Sequence, residues 1–131
     1  IRERHEFVIH IASCEQLAEL NQSSATLPPG ESEVEAGDLA LTRVSGFRMP
    51  RLSDCKIALF CERHDIQMIG SKKQQSLLFA EIKEIYVDDA CAEINDTGRL
   101  KIHADRVQPL SRLGASEYAS FGEVLIARRP D

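Results

Sequence analysis

The sequence predicts a mainly β, single-domain protein, and three observations support this prediction. The segment from Lys56 to Asp89 holds the densest apolar alternation and is typical of two long strands folded back on each other. A shorter alternating run from Phe7 to Ile11 predicts a further strand, whose apolar face we expect to enter the core. With 131 residues, 43% of them hydrophobic, residues 1–131 suit one domain with an ordinary buried core.

Charge and hydropathy argue against two classes of partner. The chain has 16 basic and 21 acidic residues, a net charge of -5, and no long basic run, which disfavours nucleic acid as a partner. No stretch approaches the roughly 20 apolar residues that span a bilayer, and no signal-peptide pattern opens the chain, so no membrane partner is predicted. We therefore expect a soluble, cytoplasmic protein.

The segment after the first strand predicts a short helix and then a long irregular excursion. Ser13 stands three residues before Gln16, a capping-box spacing, and the following apolar residues predict a helix of about two turns that ends near Asn21. Periodicity is then lost from Gln22 to Asp54, where Pro, Gly and acidic residues mark turns and short helical pieces. An excursion this long is usually functional, a lid or a subunit contact.

The central segment predicts a hairpin with an irregular second strand. Both faces are apolar near Ile57, so we expect the first strand to be covered on both sides. The polar run from Gly70 to Gln75 predicts the turn. Apolar parity changes in the second strand, and a β-bulge near Lys83 would account for this, because one extra residue moves the following side chains to the other face.

The remainder of the chain predicts turns, one short strand and a loop. Asn95 to Gly98 is a turn sequence, and a short strand is expected over Leu100 and Ile102. Pro109 to Gly122 is predicted to be a loop, with Gly114 and Gly122 as hinges.

Residue spacing alone predicts no metal or catalytic centre. The histidines lack helical i, i+4 spacing beside a carboxylate, and the cysteines lack C-x-x-C spacing, so the cysteines are expected to be reduced, partly buried thiols. Motifs for acyl transfer, Rossmann dinucleotide binding and nucleotide hydrolysis are missing. Three alternate glutamates in the excursion are more typical of a solvated edge than of a paired-carboxylate site: Glu31, Glu33 and Glu35.

Five blocks of sequence together resemble the flavin reductase-like, FMN-binding split-barrel family. They are EFVIHIAS, NQSSATLPPGESEVEAGDL, PRLSDCKIALFCE, the strand ending IYVDD, and PLSRLGASEYASFGEV. They span Ile1 to about Val124 in the family's order and spacing. The resemblance implies a six-stranded antiparallel split β-barrel of Greek-key character with short helices. It also implies a homodimer with FMN in a groove at the subunit interface.

The resemblance implies a flavoprotein that passes hydride from NADH or NADPH to flavin. Such transfer needs stacked rings held in contact, and the protein supplies orientation and electrostatics, so no catalytic side chain is assigned. By resemblance, the positions that face flavin or substrate are Asn21, Ser23, Ser24, Arg112, Gly114 and Tyr118. Three of these have structural alternatives: a helix-terminal residue for Asn21, a surface ion pair for Arg112 and a core aromatic for Tyr118.

The sequence also departs from the family pattern. By this resemblance we expect the chain to correspond to the C-terminal two-thirds of the family domain, without the N-terminal strands and the Ser/Thr-rich stretch that in the family hold the FMN phosphate. His10 stands where the family commonly has Asn, and Ala80 and Ala115 each replace a Gly.

Two further expectations concern assembly and function. Apolar strand faces at Ile57, Leu59 and Phe79 predict a homodimer, with the excursion from Asn21 to Asp54 crossing the dimer or bordering the flavin groove. The alternative functions are an FMN-binding or dimeric interaction module without turnover and a fragment without independent activity.

Overall fold

The computed structural model describes residues 4–71, 75–128 and 130, and strands dominate the fold. The strands are β1 (Glu6–Ile11), β2 (Leu41–Thr42), β3 (Arg51–Leu52), β4 (Ile57–Ile69), β5 (Gln75–Val87), β6 (Ala92–Ile94), β7 (Leu100–Ile102), β8 (Ser111–Gly114) and β9 (Glu117–Ala119). The α-helices are α1 (Leu17–Gln22), α2 (Glu33–Ala36) and α3 (Ala104–Val107). The mainly β prediction is confirmed.

A three-stranded antiparallel sheet in the order β1-β4-β5 is the centre of the fold. Strands β4 and β5 each have 13 residues and pair along their whole length, which confirms the predicted hairpin. The polar residues predicted to form its turn include Lys72, Lys73 and Gln74, which lie outside the described residues.

The predicted bulge in β5 is present. Phe60 pairs with Glu84, whereas the next residue, Cys61, pairs with Ile82, so Lys83 is the extra residue. The extra residue keeps Ile82 and Ile85 on one face although they are three residues apart. A second irregularity lies in β4, where the pairing passes from Arg63 to Asp65.

The two faces of the central sheet are covered unequally, which corrects one expectation. Ala58 and Phe60 are 0% and 1% exposed, and the Phe60 ring lies 4.5 Å from that of Phe47 in the excursion. On the other face, Ile9 and Ile85 are 43% and 53% exposed. The expected burial of the Ile9 face of β1 is therefore not met at Ile9, because the excursion packs on the opposite face. Coverage of β4 on both sides is found in its first half, where Ile57 and Leu59 are half-buried and Cys61, on the Leu59 face, is 3% exposed.

Within the excursion, β2 and β3 pair as a short antiparallel ladder, and the Leu52 N–H of β3 donates to His10 Nε2 of β1 at 2.9 Å. The Ser53 N–H donates to the Ala40 carbonyl at 2.8 Å, and the Thr42 and Ser53 hydroxyl oxygens lie 2.7 Å apart. The predicted turns and short helical pieces are confirmed by α2 and these contacts.

The smaller elements agree with the sequence in part. The β6–β7 turn is confirmed, with Asn95 Oδ1 accepting from the main-chain N–H groups of Thr97 and Arg99. Pro109–Gly122 is not simply a loop, because it forms the β8–β9 hairpin. Its turn contains Gly114 and Ala115, with φ angles of 134° and 45°. Residues with positive φ reverse a chain sharply, so Gly114, one of the two expected hinge residues, belongs to a tight turn with Ala115 instead.

The described strands form one three-stranded and three two-stranded sheets, and these sheets do not join into a closed barrel. All four cysteines are free, and three of them are buried, as predicted. Within the described ranges, none of the helices combines the length and apolarity that a membrane crossing requires.

Candidate functional site

The structure brings together two parts of the chain that the sequence predicted to share a site. The Tyr118 hydroxyl of β9 donates to Asn21 Oδ1 in the last turn of α1 at 3.4 Å, across a separation of 97 residues. Ser23 and Ser24 follow α1 directly, and Arg112 and Gly114 lie on β8 beside Tyr118. The six predicted residues therefore lie where the end of α1 meets the β8–β9 hairpin. We call this place the helix–hairpin site.

Arg112 is an exposed cation with unused hydrogen-bond donors. Its guanidinium lies 5.8 Å from the centroid of the Tyr118 ring, and its Nη2 donates to the Ala115 carbonyl at 3.3 Å. The alternative role for Arg112 was a surface ion pair. In the part of the chain that the structure describes, no carboxylate lies within ion-pair distance of Arg112, so this ion pair is not present there. A guanidinium has five N–H donors, and most of these remain available for an anion.

The serines of the site close the end of α1. The Ser23 hydroxyl donates to the Leu20 carbonyl at 2.8 Å, and the Ser24 hydroxyl donates to the Asn21 carbonyl at 2.6 Å. Their protons therefore go to main-chain carbonyls of the last turn of α1, and their oxygen lone pairs stay free to accept. Asn21 lies in the last turn of the helix, which agrees with the alternative interpretation of a helix-terminal residue. Its side chain also accepts a hydrogen bond from the Tyr118 hydroxyl.

A cavity of about 340 Å³ adjoins the helix–hairpin site on the other side of α1. Its walls include Leu20 and Ser23 from the end of α1, and His10, Gln16, Leu52 and Cys55. Three carboxylates also line it: Glu15, Glu19 and Asp54. This excess of negative charge favours neutral or cationic groups in the cavity and disfavours phosphate.

His10 is held as a neutral imidazole between the sheet and the excursion. Its Nε2 accepts the Leu52 N–H at 2.9 Å, so in the neutral ring Nδ1 carries the proton. Burial, and secondarily the Arg51 cation, lowers the pKa of His10 below its ordinary 6.5. The side-chain oxygen of Asn could accept the same hydrogen bond from the Leu52 N–H, which accounts for His at position 10, where the family commonly has Asn.

Cys55 is a structural thiol. Gln16 Nε2 donates to its Sγ at 3.3 Å, and burial raises the pKa of the thiol above 9.0, so it stays protonated at neutral pH. The thiolate is the nucleophilic form of cysteine, and the cavity therefore holds no activated nucleophile at Cys55.

Arg51 fixes the excursion over the sheet and was not predicted from the sequence. It is 8% exposed, and its guanidinium lies 3.7 Å from the centroid of the Tyr86 ring. Its Nη1 donates to the carbonyls of Leu52 and Ser53 at 2.9 and 2.8 Å. No local pattern indicates such a role, because Tyr86 lies 35 positions away in β5; a buried cation paired with an aromatic face is a tertiary feature.

Two further cavities continue along β1 from the first one. The second, of about 420 Å³, shares His10 and Leu52 with the first and includes Val8 and Met49. The third, of about 640 Å³, shares Met49 with the second and reaches Arg4. Neighbouring cavities therefore share wall residues, and we call this row of three cavities the β1 groove. Across the described ranges, no cluster of three His, Cys, Asp or Glu side chains could hold a metal ion.

Comparison with known proteins identifies relatives along most of the chain. The family of flavin reductase like domains matches residues 1–107. An uncharacterized protein of Halalkalibacterium halodurans, BH2278, is 30% identical over 125 residues, which are 95% of this chain and 59% of that protein. The chain thus spans about three fifths of the length of this relative.

Two solved structures are similar in fold and sequence. Nitrilotriacetate monooxygenase component B from Bacillus cereus superposes with a TM-score of 0.82 at 29% identity, covering 96% of this chain and 61% of that one. The 2-nitrobenzoate 2-nitroreductase NbaA of Pseudomonas fluorescens gives a TM-score of 0.80 at 28% identity, covering 99% and 62%. The fold, the sequence blocks and the family match agree, and the chain belongs to the family of flavin reductase-like domains.

Proposed function

We propose that the protein is an FMN-binding flavin reductase that works as a homodimer and takes reducing equivalents from NADH or NADPH. The observation that carries the proposal is the helix–hairpin site, where Arg112 presents unused donors beside the Tyr118–Asn21 contact. Membership of the flavin reductase-like family supports the same assignment.

The residues present fit FMN in chemical type. A phosphate dianion is matched by the Arg112 guanidinium, which binds such groups bidentately. The hydroxyls of the ribityl chain are matched by the free lone pairs of Ser23 and Ser24 and by the Asn21 amide. The acidic cavity beside α1 disfavours the phosphate, so the charged end of FMN is assigned to the Arg112 side.

The chain's own part in the reaction is to bind and orient. When bound, FMN supplies hydride acceptance and electron transfer. Arg112 would hold the phosphate, and the turn at Gly114 and Ala115 would set the position of Arg112 relative to Tyr118. None of these side chains needs to move a proton, which agrees with the protonated Cys55 thiol nearby.

The homodimer and the split barrel are parts of this proposal. Exposed apolar residues form one face of the central sheet, and further strands and a second subunit would cover it: Ile9, Ile82 and Ile85. The Gln22–Asp54 excursion would border the flavin groove, since several of its residues line the β1 groove. Sedimentation showing only monomer at micromolar concentration would contradict the dimer.

The second candidate is a flavin-binding or dimeric interaction module without turnover, and the same exposed apolar face favours it. Titration with FMN followed by NADH or NADPH separates the two functions. A reductase binds FMN and oxidises the nicotinamide, whereas a module binds FMN and leaves the nicotinamide unchanged.

Substitution of Arg112 tests the site itself. Arg112→Ala should weaken FMN binding by about 1.5 kcal/mol, the lower end for a charged hydrogen bond because the guanidinium is exposed. Arg112→Lys should recover only part of the lost affinity, since a lysine ammonium cannot bind phosphate bidentately as a guanidinium does. Arg99→Ala, which removes an equal charge from the β6–β7 turn, is the matched control. Unchanged FMN affinity together with a lowered melting temperature would make Arg112 a structural residue.

A further inference from the structure

The far end of the β1 groove is basic in a chain whose net charge is -5. The cavity there, of about 640 Å³, is lined by Arg4, His5, Glu6, Arg48 and Met49. Arg4 belongs to the residues before β1 and Arg48 to the excursion, so the fold brings two arginine residues from distant segments to the lining of one cleft. We call it the Arg4–Arg48 cleft.

Neither arginine is neutralised within the described residues. No ion pair to Arg4 or Arg48 is found there, although Glu6 lines the same cleft. Arg4 Nη1 donates to Met49 Sδ at 3.7 Å, a weak contact that keeps the guanidinium against the cleft wall. Most of the donors of both groups therefore remain available to a ligand.

Two arginine residues lining one cleft favour a compact dianion. Each planar fork can donate two parallel hydrogen bonds to phosphate oxygens, and a phosphate monoester offers three such oxygens and up to two negative charges. A neutral hydroxyl at the same place would leave both cations without a charge partner. The chemistry of the cleft therefore suits a phosphate monoester.

The row of cavities reaches from the cavity beside α1, which His10 lines, to the cleft that Arg4 lines. The six residue steps from Arg4 to His10 span at most about 20 Å when fully extended. An elongated nucleotide could lie in such a groove with one end near α1 and a phosphate at the cleft.

We propose that the Arg4–Arg48 cleft binds a phosphate monoester, namely the 2′-phosphate of NADPH, and that the protein consequently prefers NADPH to NADH. This inference rests on the proposed function for the identity of the nucleotide. The bridging diphosphate is common to both nucleotides, so only the 2′-phosphate distinguishes them.

Binding of NADP⁺ and NAD⁺ to the purified protein, measured by calorimetry, tests the cleft without catalysis. The wild type should bind NADP⁺ about tenfold more tightly than NAD⁺, the effect of one charged hydrogen bond at an exposed site. Arg48→Ala should remove this difference, and Arg48→Lys should restore part of it. Glu6→Gln should increase it, because a repelling carboxylate is lost. Arg43→Ala, an exposed arginine of the same excursion outside the cleft, should leave it unchanged.

A parallel titration with FMN and riboflavin identifies the source of the phosphate. If Arg48→Ala weakens FMN relative to riboflavin but leaves the NADP⁺ to NAD⁺ ratio unchanged, the cleft holds the flavin phosphate and the inference is overturned. Equal affinity of the wild type for NADP⁺ and NAD⁺ also overturns it. Absence of turnover with either reduced nucleotide would contradict the proposed function, while a ratio of NADP⁺ to NAD⁺ affinity that depends on Arg48 would still support the cleft.

Discussion

Replacement of His10 should reveal how the excursion is held to the sheet. His10→Ala removes the acceptor of the Leu52 N–H, whose hydrogen bond is 2.9 Å long. A donor left without a partner in a partly buried place costs about 1 to 3 kcal/mol, so we expect a loss of about 2 kcal/mol in the free energy of unfolding. His10→Asn, the residue that the family commonly has, keeps an acceptor and should lose less.

The same position should contribute to the pH dependence of stability. The pKa of His10 in the folded state lies below its ordinary 6.5, first because of burial and then because of Arg51. The unfolded chain therefore binds the proton first, and stability is complete above pH 6.5 and falls as the pH drops below it. One proton limits the slope to about 1.4 kcal/mol per pH unit. His10→Asn should remove this contribution.

Urea unfolding of the wild type and both variants at pH 7.5 and pH 5.5 measures these effects. With a typical urea slope, a loss of about 2 kcal/mol moves the midpoint by about 1 M. Other groups titrate equally in all three proteins, so the difference between the wild type and His10→Asn isolates His10. If His10→Ala is as stable as the wild type, or if His10→Asn keeps the full pH dependence, the role assigned to His10 is wrong.

Two further predictions concern the core and the β8–β9 turn. Phe60→Ala should lower the free energy of unfolding by about 3 to 5 kcal/mol, because Phe60 is 1% exposed and packs on Phe47, and a loss below 1 kcal/mol in urea unfolding would contradict its place in the core. Ala115→Gly should raise the free energy of unfolding by about 0.5 to 1 kcal/mol, since a φ of 45° strains alanine but not glycine. Ala119→Gly in β9 is the control and should lower the free energy of unfolding. A lowered melting temperature for Ala115→Gly would refute this explanation.

Local patterns in the sequence determined the main elements. The β4–β5 hairpin follows from alternation with a period of two, and the bulge at Lys83 follows from the change of parity within one strand. The start of the helical segment follows from the Ser13 and Gln16 spacing, because Ser13 caps a 3-10 turn over Cys14–Gln16 that leads into α1, and the Ser13 N–H donates to Gln16 Oε1 at 3.0 Å. Each of these features depends on residues within a few positions of one another, so the sequence alone predicts them.

The β8–β9 hairpin was missed for a related reason. Its strands have only four and three residues, too few for alternation to show, and Gly114 was interpreted as a hinge. The positive φ of Ala115, which completes the turn, cannot be inferred from alanine, because this residue seldom adopts that conformation.

Only the tertiary structure decided which face of the sheet is buried and which residues share a site. Alternation gives the two faces of β1 but not which one the excursion covers, and the covered face proved to be that of His10. The contacts between Tyr118 and Asn21 and between Arg51 and Tyr86 join residues 97 and 35 positions apart. Such contacts depend on the path of the whole chain, because they form only where packing brings distant segments together, and no local pattern encodes that path.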